Sequence, residues 1–247
     1  MPHLPANANR FKLRLLAWYR TQARDLPWRR TRDPYRIVVS EFMLQQTQVS
    51  RVLDFYPRFL SRFPTIEALA RARPKAVREA WDGLGYYRRA ENLQRLARTV
   101  VNDHAGIVPD DPETLETLPG VGRYTAGAVA SFAYERPAPA VDTNVARVLA
   151  RVFRVRQPKG AQRDRRLWTL AEQLVPQRGK AAWDFNQALM DLGSTICVAR
   201  SPRCDACPVA AACLSVRSPS PPLRRGEKSR LRQKNLRQNR VKKQDQD

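Results

Sequence analysis

Leu118-Pro119-Gly120-Val121-Gly122-Arg123-Tyr124-Thr125-Ala126-Gly127 reads as a glycine-punctuated turn that runs into a helix through Ala128-Val129-Ala130. Gly120 and Gly122 let the backbone turn tightly and approach a ligand closely. The free N–H groups at the start of the helix suit an anion, most simply a phosphate. About one helix later, Ala140-Val141-Asp142-Thr143-Asn144 sets a single carboxylate in an otherwise apolar run. A phosphate cradle followed by a lone half-buried acid fits an enzyme that holds a nucleic-acid backbone beside its reacting atom. An ordinary helix hairpin with Asp142 as a structural cap fits the same residues.

The chain has 247 residues, enough for one large domain or two small ones, and 43% apolar residues suffice for a packed core. Its formal net charge is +22, of which the stretch from Arg217 onward supplies +8 and the remainder +14, so the basicity is not a tail effect alone. Such an excess predicts a polyanionic partner and salt-sensitive binding. Nucleic acid is favoured over a membrane, because no apolar run approaches 20 residues and no signal peptide is visible. A cytoplasmic, nucleoid-associated monomer is the expectation.

Apolar positions fall at helical spacing along most of the sequence. The first ten residues carry no pattern and are expected to fray; Phe11, Leu15, Leu16 and Trp18 then mark a helix. Arg36 to Phe63 reads as two helices around a Gln45-Gln46-Thr47 break, Ile66 to Trp81 as one helix, and Arg88 to His104 as another. Asp111 and Thr114 are candidate caps for a short helix before the hairpin. Beyond Asp142, Val145 to Val155, Gln162 to Leu174 and Ala181 to Ile196 are helical in pattern. No alternating β-type run and no internal repeat occurs, so the fold class is all-α. From Ser218 onward apolar residues nearly vanish, which predicts a disordered basic tail.

Cys197, Cys204, Cys207 and Cys213 are spaced C-x6-C-x2-C-x5-C. Four clustered thiolates with one CxxC pair hold either zinc or an iron–sulfur cluster. His3 and His104 lie far away in sequence, which argues against a histidine-ligated catalytic metal. Arg200 and Arg203 in the first inter-cysteine loop project two cations toward a possible phosphate.

The hairpin LPGVGRYTAG, the acid in VDTN and this cysteine spacing together resemble the helix-hairpin-helix DNA glycosylases with a [4Fe–4S] cluster. Ser40–Val49 (SEFMLQQTQV), Gly83–Leu93 (GLGYYRRAENL) and Phe185–Gly193 (FNQALMDLG) are similar to the MutY-type adenine DNA glycosylases. The likeness covers about residues 11 to 215. It implies a two-lobed fold: residues 11–33 as an N-terminal helix packed on the cluster lobe, 34–140 as a helical barrel with the hairpin, 141–215 as the iron–sulfur lobe, and 216–247 as the basic tail. The implied cofactor is a [4Fe–4S] cluster on the four cysteines, and the implied partner is double-stranded DNA with a mispaired adenine.

Glu41 lies among Val38, Val39, Phe42 and Met43, where a carboxyl has a raised pKa that suits a general acid. In the resembling family the matching Glu protonates adenine, and Asp142 matches the second carboxylate, which stabilises the oxocarbenium-like sugar or bonds to it transiently. Tyr124 stands where endonuclease III relatives place a Schiff-base lysine; Tyr cannot form an imine, which predicts a monofunctional enzyme. Asn144 is placed to hold Asp142 or a water, and equally to cap a helix. The resemblance assigns Gln46 to the gap left by the flipped base and Tyr86 to a wedge beside the opposite base. It assigns Leu44, Val49, Arg24, Trp28, Arg29 and Gln187 to the adenine pocket, although core packing explains Trp28 as readily. Gly120 and Gly122 are its phosphate-gripping hairpin glycines.

Two departures stand out. Thr143 replaces the usual Gly beside the nucleophile position. The family usually continues into a β-rich domain that recognises 8-oxoguanine; here Arg224 opens RRGEKSRLRQKNLRQNRVKKQ, which offers only sequence-blind phosphate attraction. A thymine or uracil glycosylase of the same fold and a non-catalytic DNA-structure binder are the alternative readings.

Overall fold

The computed structural model describes residues 4–155 and 161–216, the side chains of 161–164 excepted. Helix starts follow local capping chemistry. Asp33, Thr65, Asp111 and Asp142 each accept the backbone N–H three residues on, from Arg36, Ala68, Thr114 and Val145, at 2.7–3.2 Å. Thr114 sits inside the short helix and adds its hydroxyl to Asp111, so Asp111 alone is the cap.

Among the described residues all regular structure is helical, with no strand. Helices α1 (Ala8–Gln22), α2 (Pro34–Leu44), α3 (Val49–Arg62), α4 (Ile66–Arg71), α5 (Pro74–Ala80) and α6 (Arg88–Asp103) lead to the hairpin. It is built from α7 (Pro112–Glu116) and α8 (Arg123–Tyr134). Then come α9 (Thr143–Val152), α10 (Ala161–Leu174) and α11 (Gly179–Thr195). Helix α2 packs against α3, α6 and α8, while α11 packs against α1, α9 and α8. Helices α8 and α11 therefore join the segment that carries the hairpin to the segment that leads to the cysteines. Phe11 meets Phe153 and Phe185 edge-on, with ring centroids 5.3 and 6.4 Å apart, and this trio locks α1 to α9 and α11.

Two expectations change. Ile66–Trp81 is two helices, because a residue preceding proline avoids the helical region and Arg73 precedes Pro74 at ψ 135°. Helix α1 begins inside the stretch expected to fray: Ala8 is buried, and Asn7 Nδ2 donates to the Ala212 carbonyl at 2.7 Å. The basic tail from residue 217 and His3 lie outside the described residues. No described helix is long and apolar enough to cross a membrane.

Candidate active site

Helix α2 is buried over nearly its whole last two turns, and Glu41 there is only 4% exposed. Tyr124, in the first turn of α8, donates its hydroxyl to Glu41 Oε2 at 2.8 Å. Burial pushes the Glu41 carboxyl up to about 7; the hydrogen bond from Tyr124 opposes this, the charge of Asp142 adds to it, and that of Arg29 opposes it. The Tyr124 phenol is raised well above its ordinary value by burial and by the two carboxylates, so it remains a neutral donor. With Oε2 occupied by Tyr124, the acidic proton of Glu41 belongs on Oε1.

Asp142 is the N-cap of α9: Oδ1 accepts from Val145 N at 2.7 Å and Oδ2 from Asn144 Nδ2 at 2.8 Å. Both the cap and the oriented-carboxylate readings of this residue therefore hold geometrically. Asn144 is held in turn by Arg147 Nη2 at 2.7 Å, and Arg147 also donates to the carbonyls of Gly193 and Cys197. The approach to Asp142 is fixed by buried Asn186, which donates to Ser131 Oγ and the Ala138 carbonyl and accepts from Ala140 N. A Cβ on Gly193 would lie 2.8 Å from the Asn144 Cβ and 3.0 Å from its carbonyl oxygen, so α11 reaches α9 here only without a side chain.

Arg24 and Arg29 converge on one carboxylate, Asp191 of α11, whose side chain is 1% exposed. Arg29 bonds it through both terminal nitrogens at 2.9 and 2.8 Å, and Arg24 Nε reaches it at 2.6 Å. Burial opposes ionisation of Asp191, but hydrogen bonds and charge from both arginines hold its carboxyl below the usual range. Asp191, Asn186 and Arg147 were not singled out from sequence; Asp191 looks like any helical surface acid until Arg24 and Arg29 fold onto it. Gln187 is buried on the same helix, and Leu44 and Val49 are half-buried at the facing ends of α2 and α3. Trp28 packs edge-on against Tyr56 at 5.5 Å, so it belongs to the core as well.

Gln46 and Tyr86 are exposed loop residues at positive φ, 56° and 49°; Tyr86 is 65% exposed. Gly120 has φ 78°, as a tight turn requires, whereas Gly122 is extended at φ −107°. Gly122 thus meets no conformational demand for glycine, and the space that a Cβ would take there is open.

The four cysteines are unpaired: Cys213 buried, Cys197 and Cys207 half-buried, Cys204 exposed. Burial, with the neighbouring thiols, raises Cys204 and brings Cys207 to about 11, so a strong cationic centre is needed to hold them as thiolates. Four thiols in one loop, with one CxxC pair, are a donor set that fits a four-iron cluster. Arg151 Nη1 lies 3.5 Å from Cys197 Sγ and donates to the Val198 carbonyl, bracing the loop. Arg203 donates to the Thr195 carbonyl, while Arg200 is exposed.

The site thus gathers a buried carboxyl near neutrality, the hairpin helix that hydrogen-bonds it, and a capped carboxylate whose charge reaches it. Residues 39–173, more than half of the chain, match the model of the HhH-GPD superfamily of base excision DNA repair proteins, and the chain belongs to that superfamily. Residues 197–213 match the iron–sulfur binding domain of endonuclease III, and the cofactor is a [4Fe–4S] cluster. The adenine DNA glycosylase of Mycobacterium tuberculosis is 50% identical over 196 residues, 79% of this chain and 64% of that protein. The adenine DNA glycosylase of Rattus norvegicus is 47% identical over 219 residues, 84% of this chain and 42% of that protein. The chain therefore spans about half the length of these relatives. The solved structure of a thermostable thymine-DNA glycosylase is 35% identical with a TM-score of 0.77, covering 85% of this chain and 97% of that one.

Proposed function

We propose that this chain is a monofunctional DNA glycosylase that hydrolyses the N-glycosidic bond of adenine mispaired with 8-oxoguanine or guanine in duplex DNA. The observation that carries this reading is the Glu41–Tyr124 pair: a carboxyl near pKa 7, already fixed by a phenol on one oxygen and free to give a proton from the other. Glu41 protonates the flipped adenine and makes it a leaving group. Asp142, oriented by two hydrogen-bond donors, stabilises the positive sugar as the bond breaks, and a water completes hydrolysis with Asn144 beside it. Arg24, Arg29 and Gln187 line the base pocket, braced by Asp191, with Leu44, Val49 and Trp28 as its apolar wall. Gln46 and Tyr86 enter the stack, and the hairpin at Gly120 and Gly122 grips phosphate. DNA lies across a cleft between a lobe of residues 34–140 and one formed by 11–33 with 141–215.

Cys197, Cys204, Cys207 and Cys213 are the proposed cluster ligands. When bound there, the cluster would cross-link the cysteine loop as a structural brace, since hydrolysis needs no electron. The identity to adenine glycosylases supports adenine as the base. A second reading, thymine opposite guanine, is favoured by one observation: the likeness to the thymine-DNA glycosylase, at 35% identity and a TM-score of 0.77.

The reading is tested with Glu41→Gln, which should retain duplex binding while losing about 10²-fold or more in adenine release. Borohydride should trap no covalent adduct, because no lysine stands at position 124. Unchanged release by Glu41→Gln, or a trapped imine, contradicts it.

A further inference from the structure

We propose that Arg89 is the positioning residue that sets the loops carrying Gln46 and Tyr86 at one fixed spacing, so that opening of the base stack depends on its guanidinium fork. The proposal rests on the reading above that Gln46 and Tyr86 enter the stack.

Arg89 lies in the first turn of α6 and is only 8% exposed. Nη1 donates to the carbonyls of Phe42 at 3.0 Å, Met43 at 2.9 Å and Gln45. Nη2 donates to Thr47 Oγ1 at 3.0 Å and to the carbonyls of Leu84 and Gly85, both at 3.1 Å. The first group comprises acceptors at the C-terminus of α2; the second joins Thr47, just past Gln46, to the loop before Tyr86. One side chain thus ties together two loops that are some forty residues apart in sequence, and Arg51, in the first turn of α3, adds donations to the Gly83 carbonyl at 3.1 and 2.8 Å.

The acceptors bracket the two exposed residues. Gln45 and Thr47 flank Gln46, and Gly85 precedes Tyr86. The Arg89 guanidinium also lies 5.6 Å from the Tyr86 ring and 5.4 Å from that of Trp81, whose Nε1 donates to the same Gly85 carbonyl. Gln46 and Tyr86 both hold left-handed backbone without being glycine, a conformation that persists only when the surroundings over-determine it. Arg89 Nε is buried without a partner, so the side chain's hydrogen bonding is concentrated in the two arms of the fork. An ordinary helix cap would serve α2 alone. A fork divided between two loops fixes the distance between a gap filler and a wedge, which must arrive together. Lysine keeps the charge but presents its three donors from one point and cannot reproduce that geometry.

The test uses the full chain with its cluster and three duplexes. One carries a guanine·adenine mispair, the second has 2-aminopurine in place of that adenine, and the third sets adenine opposite an abasic analogue, where no opposite base has to be parted. Arg89→Lys should keep the cluster absorbance and a cooperative thermal transition. It should slow the 2-aminopurine fluorescence rise and adenine release from the mispair about tenfold or more, because a small misplacement is costly. Release opposite the abasic analogue should change little. Thr47→Val removes the acceptor by which the Nη2 arm reaches the Gln46 loop, at a half-buried turn, and should slow opening in the same substrate-dependent way. Equal losses on both adenine duplexes, or unchanged opening in Arg89→Lys, overturn the proposal. Should Arg89→Lys fail to fold, unchanged opening in Thr47→Val overturns it alone. A wild-type chain that opens the stack but releases no adenine refutes the adenine reading and leaves the fluorescence comparison to decide on Arg89; one that opens no stack overturns both.

Discussion

Glu41 carries two pH predictions of known sign. As a general acid it must be protonated, so single-turnover release falls as pH rises through about 7, and the residual rate of Glu41→Gln lacks that dependence. A carboxyl whose folded pKa is raised stabilises the fold fully only at low pH, and that contribution is lost as pH rises from about 4.5 to 7. Thermal unfolding across that range should therefore show Glu41→Gln gaining on the wild type and then holding a constant lead; a lead that does not change with pH contradicts the raised pKa. Asp191 behaves oppositely, since Arg24 and Arg29 keep it ionised inside the protein. Asp191→Ala leaves Arg29, 6% exposed, without its partner and should cost about 3–5 kcal/mol in denaturant titration. Glu41 was legible in the sequence because its neighbours are apolar. Asp191, Asn186 and Arg89 were not, because each acts on backbone or side chains brought from distant segments.

Element starts and stops were mostly readable, since Asp111 and Asp142 are caps and the apolar spacing of α2, α3, α6 and α8 is regular. The division between α4 and α5 was missed because the apolar pattern runs through Pro74, and the proline outranks the pattern. The start of α1 was missed because Asn7 is tied to Ala212, a contact with no local signature. Helix crossings are equally silent in sequence: α9 meets α11 at Gly193, where a methyl group would press on Asn144. Gly193→Ala should cost about 1–3 kcal/mol through that overpacking, read by thermal unfolding. It should also reduce adenine release without weakening DNA binding, because the side chain of Asn144 is committed to Asp142 and Arg147. Weaker binding with unchanged release contradicts this placement.

At the scale of the whole molecule, charge governs encounter and carboxylates govern chemistry. The net +22 predicts that the logarithm of duplex affinity falls linearly with the logarithm of salt concentration. Deleting residues 217–247 removes a net +8 and should make that slope shallower on every duplex alike, measured by fluorescence anisotropy; an unchanged slope contradicts a phosphate-attracting tail. The basicity, the hairpin and the cysteine spacing made the superfamily legible, whereas the spacing of the two stack-facing loops needed coordinates. The most direct measurement is single-turnover cleavage on duplexes with 8-oxoguanine·A, G·A, G·T and G·U, each read before and after alkali. An adenine glycosylase of this design releases adenine from the first two and shows strand breaks only after alkali. Breaks confined to G·T or G·U, or breaks without alkali, contradict it.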